Sequence, residues 1–293
     1  MQTGAMAKKN ALPPLTAAQV VRLQDALLSN ADRLLTSALA VLDKGNVGLA
    51  RSLAILGLEE SGKAIAIHQR RVDMAYAPEG EPFVDTRLES LWASHHRKLK
   101  LVHDFLVQEP YWFDTQPSDP EENRAWLGEI EEWARNHNML KQRGFYVDID
   151  AEKGVLTPAD ASDEDSLREV IGHVHQIGWQ LRLGEHIVAK QQEESAAAIP
   201  PATEDKIEEM RNAFSKVDEA IVEEMLDGMR EGTEGTPLHN DAYRLRLPEP
   251  GSDPFANLGK PGYEAETREL MRLAEETGLT ADAGDDGTEE DRS

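Results

Sequence analysis

At 293 residues the chain has room for one large domain or two modest ones, and a hydrophobic fraction of 40% leaves part of it outside any core. Acidic residues number 55 against 31 basic ones, a formal net charge of -24, which disfavours general electrostatic binding to nucleic acid or to an anionic membrane. The absence of cysteine excludes disulfides, thiolate zinc sites and cysteine nucleophiles.

Residues 1–14, from Met1 through Lys8 and Lys9 to Pro13-Pro14, read as a flexible N-terminus without the apolar core of a signal peptide. Charges break the longest apolar stretches well short of a membrane span, so the expectation is a soluble, cytoplasmic protein with no membrane partner. Thr16 is placed to cap a first helix that carries Val20, Leu23, Leu27, Leu34 and Leu35 and stops near Asp43-Lys44-Gly45. A second helix runs from about Asn46 to about Met74, where Pro78, Gly80 and Pro82 end it. The third is expected from about Asp85 to Val107, burying Leu88, Leu91, Trp92, Leu99, Val102 and Phe105. After a proline-aromatic loop from Pro110 to Pro120, the fourth runs through Trp126, Ile130, Trp133 and Leu140 to Gly144, followed by a short extended segment, residues 145–149.

A fifth helix starts around Ser162-Asp163 and continues through Val170, Val174, Ile177 and Leu181 towards Gln192. The spacing therefore predicts an all-α, antiparallel helical bundle over residues 15–194. Residues 195–231 read as a linker with one further amphipathic helix, Glu204 to about Arg230. Residues 232–293 read as a Pro/Gly-rich, partly disordered acidic tail with one helix from about Tyr263 to Glu276.

Polar residues interrupt three of the apolar stripes. Leu53, Leu56, Glu60, Ala64 and Ile67 share one face of the second helix, which puts Glu60 where a core residue belongs, and a buried carboxylate needs a partner. His95 and Lys98 fall on the stripe of the third helix, and His137 and Lys141 on that of the fourth. If these faces meet, Glu60, with Glu59 beside it, pairs with Lys98 or Lys141. The simpler reading of Glu59 and Lys63 is an i,i+4 surface ion pair. Gly57 and Gly62 each weaken the helix by roughly 1 kcal/mol relative to alanine, which points to another backbone or side chain close by. The second helix lacks the Glu-x-x-His spacing of a bundle metal site, and no phosphate loop or Ser/His/Asp triad is legible, so neither metal nor cofactor is expected. On the fifth helix Arg168, His175, Arg182 and His186 share a face with Trp179. That face is either a basic surface offsetting the acidic chain or a site for an extended phosphate.

These residues resemble a known family. Leu58-Glu59-Glu60-Ser61-Gly62-Lys63 is similar to the Glu-Glu-x-Gly-Lys core of the AbiV-type abortive infection proteins, in the HEPN class of helical domains. His95 and Lys98 match that family's His-x-x-Lys segment, and Lys141 to Asp148 resembles its Lys-x-x-Gly-x-Tyr-Val-Asp segment, with Tyr146 and Asp148 at the matching positions. The likeness spans roughly Leu15 to Leu183.

The resemblance implies bacterial anti-phage defence by abortive infection. In the first reading the bundle recognises or inhibits a phage or host protein through a polar site of Glu60, Lys63, His95, Lys98, Lys141, Tyr146 and Asp148. Many HEPN domains are metal-independent ribonucleases that act as homodimers through an Arg and a His with four to six residues between them. The alternative is therefore a ribonuclease using His95 with Lys98, or Arg168 with His173 or His175, on RNA held by a local basic patch. A non-catalytic interaction scaffold is the third reading.

Overall fold

Thr16 is the N-cap of the first helix, α1 (Ala17–Leu42), and its hydroxyl and the Gln19 side chain satisfy each other's backbone N–H in a capping box. The computed structural model describes residues 11–108, 119–160, 164–214, 217–247, 253 and 255–278. Most of the expected flexible N-terminus, the proline-aromatic loop, the Ser162-Asp163 helix start and the terminal acidic run lie outside them. A tight turn with Gly45 at φ +76° leads into α2 (Val47–Tyr76), capped by Asn46. Gln24 meets Arg71 while Ala31 faces Gly57, so α1 and α2 run antiparallel.

α2 is buried almost all round. Its neighbours are α1, α4 (His95–Gln108), α6 (Ile130–Phe145) and α7 (Glu164–Ala196). α6 runs against it, with Gly144 on Gly48 and Lys141 on Ser52 and Glu59, whereas α4 and α7 run alongside it in the same direction. One core holds Ile55, Leu58, Ile65, Ile67, Leu99, Leu106, Leu167, Ile177 and Leu181. The helical bundle expected from the sequence is the fold observed.

Two expected helices are each broken in two. The third splits into α3 (Thr86–Trp92) and α4, because the Ser94 hydroxyl accepts the Arg97 N–H at 3.3 Å and starts a new helix with His95 at its head. The fourth splits into α5 (Pro120–Leu127) and α6 at Gly128, whose φ of +79° stops α5. Trp126, assigned above to the buried face, is consequently 60% exposed. The extended segment becomes a hairpin of β1 (Asp148–Asp150) and β2 (Gly154–Leu156) with Ile149 opposite Val155.

Beyond α7, the expected single helix is two, α8 (Glu204–Ala213) and α9 (Glu219–Glu231), sharing a small core of Ile207, Val222 and Leu226. The described part of the acidic tail is more ordered than its composition suggests. His239 and Asn240 donate backbone N–H groups to the Ala75 carbonyl, Tyr243 stacks on Phe83 at 5.6 Å, and the Gln192 side chain accepts the Leu245 N–H. The predicted tail helix is present as α10 (Glu264–Thr277), packed on α7 and α1. Among the described residues no helix is long and apolar enough to cross a membrane.

Candidate functional site

Three helices converge on a single carboxylate, and it is Glu59 rather than Glu60. The Glu59 side chain is 4% exposed; its Oε1 accepts from Lys141 Nζ of α6, and its Oε2 accepts from His95 Nδ1 of α4 at 2.5 Å, with Lys98 Nζ at 3.8 Å. The apolar stripe of α2 singles out the neighbouring Glu60 only for a helix with one buried face. A helix enclosed by α1, α4, α6 and α7 has no single buried face, so the position of a carboxylate relative to its partners' cations decides which is the centre.

Glu60 instead pairs with Lys63 one turn on, at 2.5 Å, at the partly exposed edge, and Lys63 Nζ lies 5.2 Å from the centre of the Trp92 ring. The expected Glu59–Lys63 pair is thus replaced by Glu60–Lys63.

The glycines in this stretch act as the weakened helix suggested. A Cβ on Gly62 would lie 2.7 Å from the Lys98 carbonyl oxygen, and one on Gly57 would lie 3.2 Å from that of Ala31. The bare backbone at Gly62 brings α4 close enough for both His95 and Lys98 to reach Glu59. Gly144 does the same for α6: a Cβ there would meet the Gly48 carbonyl oxygen at 2.0 Å and Ser52 Oγ at 2.1 Å. The Ser52 hydroxyl donates to the Lys141 carbonyl at 2.7 Å, fixing the last turns of α6 and hence the lysine. Ser52 and Gly48 went unnoticed in the sequence, where small residues on an apolar helix are unremarkable.

Burial lowers the pKa of Lys98, working against the attraction of Glu59, with Lys63 adding to the lowering. The His95 side chain stays 58% exposed. With Nδ1–H donating to the carboxylate, a neutral His95 ring presents Nε2 as its acceptor. At the surface beside it, Glu131 accepts from His96 Nε2 at 2.8 Å and from Lys100, and those two hydrogen bonds hold its pKa below the usual carboxylate value. Most of the cations in this corner are spoken for: Lys98 and Lys141 are buried against Glu59, Lys63 pairs with Glu60 and Lys100 with Glu131.

The other nominated residues lie elsewhere. Tyr146 is 63% exposed, and the exposed Asp148 spends its side chain on the Ile149 N–H in the hairpin, so neither belongs to the buried cluster. His137 donates Nδ1–H to the Trp133 carbonyl at 2.8 Å and stacks on that ring at 3.9 Å instead of reaching Glu59. Arg168 is exposed, His173 is buried against Trp126 and Trp133, and His175 sits 3.4 Å from Glu269 of α10. The face of α7 read as basic and solvated is therefore largely covered.

Part of it belongs to a second ionic centre that the sequence did not reveal. Arg71 donates to Gln24 at 2.9 Å and to Glu185 at 2.7 Å; Arg182 donates to the other Glu185 oxygen at 2.7 Å and to Asp25 at 2.6 Å. Burial acts to raise the Glu185 pKa, but Arg182 and Arg71 outweigh it and the net shift is downward. Only the i,i+3 spacing of Arg182 and Glu185 hinted at this.

Among the described residues no group of three or more His, Asp or Glu side chains is arranged to hold a metal ion. No curated protein and no solved structure matches the chain. A family model does: the one for AbiV, of the HEPN class, matches residues 19–179, which include Glu59, His95, Lys98 and Lys141 and amount to more than half of the 293 residues. The chain belongs to the AbiV family of HEPN-domain proteins.

Proposed function

We propose that the protein works in the bacterial cytoplasm as an abortive-infection protein, and that its bundle recognises a phage or host component at the mouth of the Glu59 cluster. The observation that supports this is the asymmetry of the cluster: a carboxylate and two lysines lie in the interior, while the histidine sharing that carboxylate keeps 58% of its side chain exposed. An anionic or hydrogen-bonding group that engages His95 competes for the Glu59 hydrogen bond. The buried cations then redistribute around the carboxylate, and a surface contact is converted into a change in how α2, α4 and α6 are held.

The His95→Ala and Glu59→Gln proteins test this in a phage challenge of cells carrying the full chain. Glu59→Gln leaves two buried lysines without a counter-charge and costs roughly 3–5 kcal/mol, so folding is checked by circular dichroism. His95→Ala removes a mostly exposed ring and leaves the fold intact. Loss of protection in folded variants, with RNA turnover unaltered, is expected; protection retained by both would sink the proposal.

One observation favours a second reading. A histidine whose Nδ1–H is held by a carboxylate is oriented to use Nε2 as a general base. In a ribonuclease, Nε2 of His95 takes the 2′-hydroxyl proton, O2′ attacks phosphorus, and the 5′-oxygen leaves with a proton from solvent, giving a 2′,3′-cyclic phosphate. Lys63 or Lys98 would offset charge on the phosphoryl oxygens. Purified protein incubated with tRNA in EDTA separates the two: cleavage that disappears in His95→Ala supports the enzyme, and intact RNA supports recognition.

A further inference from the structure

The C-terminal segment lies outside the family-matched residues, yet it covers the α1–α7 face. Its contacts are polar. The Ser29 hydroxyl donates to Glu264 at 2.7 Å, Arg268 donates to Asp32 at 2.5 Å, and His175 Nε2 lies 3.4 Å from Glu269. Arg182 donates to the Gly262 carbonyl from both Nε, at 3.0 Å, and Nη2, at 2.8 Å, and its guanidinium stacks 3.7 Å from the Tyr263 ring centre. The buried residues of α10 are Glu266, Glu269 and Ala274, while Met271 and Leu273 are about 40% exposed.

A helix whose buried positions are mainly carboxylates, with Leu270 at the cleft and Met271 and Leu273 about 40% exposed, is held unlike a core helix. Water, salt or a charged partner can substitute for its contacts, whereas nothing in solution substitutes for buried leucines. Packing beside it is incomplete: a cleft of about 670 Å³, lined among others by Val21, Trp179, Arg182, Leu245 and Tyr263, opens between α7 and the segment.

From these observations we propose that the segment from Gly262 through α10 is a releasable cover, an autoinhibitory contact that keeps the α1–α7 face closed until infection. The face beneath includes His175, Trp179 and Arg182 of α7. The proposal rests on the defence reading, since closure matters only if the open protein harms its host.

Gly178 provides a selective probe. Outside its own helix, a Cβ there would meet only Ala265 Cβ, at 2.9 Å, so a side chain at this position meets α10 first. In Gly178→Leu, amide hydrogen exchange across residues 264–277 should rise at least tenfold while that of α2 is unchanged, and expression in uninfected cells should arrest growth. Faster exchange without arrest overturns the cover as a restraint, and unchanged exchange overturns its release. The two proposals fail separately: a folded Glu59→Gln protein that still protects against phage sinks the recognition site and leaves the cover standing. A Gly178→Cys/Ala265→Cys pair is the converse control in a chain with no other cysteine. Disulfides favour Cβ separations of about 3.8 Å, so a shift of roughly 1 Å admits one, and oxidation should slow α10 exchange below wild type; no slowing would count against the contact.

Discussion

Lowering the pH from 7.5 to 5 should destabilise this protein steeply, and three buried histidines set the amount. Burial, the dominant cause in each, pushes His68 and His137 down to about 4 and His173 down to about 3. For His68 the attraction of Glu185 opposes the drop, while Arg71 and Arg182 reinforce it. For His137 the bond to the Trp133 carbonyl opposes it and His103 adds to it; His137 in turn lowers His173. In the unfolded chain all three titrate near the ordinary value of 6.5. Between 6.5 and about 4 the unfolded state therefore binds more protons than the folded state. The stability these groups permit is complete above pH 6.5 and is lost as pH falls through that window. At pH 5 each histidine lies 1.5 units below its unfolded pKa, about 2 kcal/mol at 1.36 kcal/mol per unit, so the three together remove about 6 kcal/mol. That is a large share of the 5–15 kcal/mol that holds a typical domain folded. Urea unfolding of the full chain at half-unit pH intervals measures it: the slope between pH 6 and 5 should approach three protons, about 4 kcal/mol per pH unit, and His173→Phe should reduce it by a third. A free energy of unfolding that is flat from pH 7.5 to 5 would refute the reasoning.

Gly144→Ala should destabilise the protein by at least 1–3 kcal/mol and loosen α6, because its methyl would fall 2.0 Å from the Gly48 carbonyl oxygen; amide exchange localises the effect, and a silent substitution would argue against close α2–α6 contact. Gly228→Ala in α9, with nothing within 4 Å and a helical backbone, should instead stabilise by about 0.5–1 kcal/mol in the same denaturation assay.

Much of the bundle was legible because its helices begin and end on local signals. Thr16, Asn46 and Gly45 do locally what their residue types predict, and the apolar period carries α1, α2 and α7 with little error. The breaks at Ser94 and Gly128 were missed because the apolar period continues across each of them; one hydroxyl cap and one positive φ decide there, and pattern is insensitive to both. At the candidate site the structure gathers His95, Lys98 and Lys141, and it does so around Glu59 rather than Glu60. His95, Lys98 and Lys141 were nominated as inward-facing groups on two helices, and the bare backbone at Gly57 and Gly62 announced close neighbours. Choosing between Glu59 and Glu60 required the rotation of α2 relative to α4 and α6, which a helix buried on every side does not encode in its own sequence. The order in the C-terminal segment was hidden for another reason: Gln192 binding Leu245 and Ala75 binding Asn240 are long-range pairings between residues with no periodic signature.

α2 ties the two ionic centres together and limits how they can communicate. Glu59 and Arg71 are twelve residues apart, about 18 Å along a helix; the first is satisfied by α4 and α6, the second by α1 and α7. Communication through α2 would need an element with two packed arrangements, and the contacts between the centres leave little slack. Gly57 is pressed between the Ala31 carbonyl at 3.2 Å and Val174 at 3.6 Å, and Gly62 against Lys98, measured to the Cβ each glycine lacks. Opening the α10 cover should thus act by uncovering α7, without rearranging Glu59. The His95 imidazole reports on this directly, because its Nδ1 is bound to Glu59. In Gly178→Leu its NMR resonances should stay at their wild-type positions while those of His175, next to Glu269, move. A His95 shift as large as the one produced by Glu59→Gln would overturn the steric account and make the cover and the cluster one coupled switch.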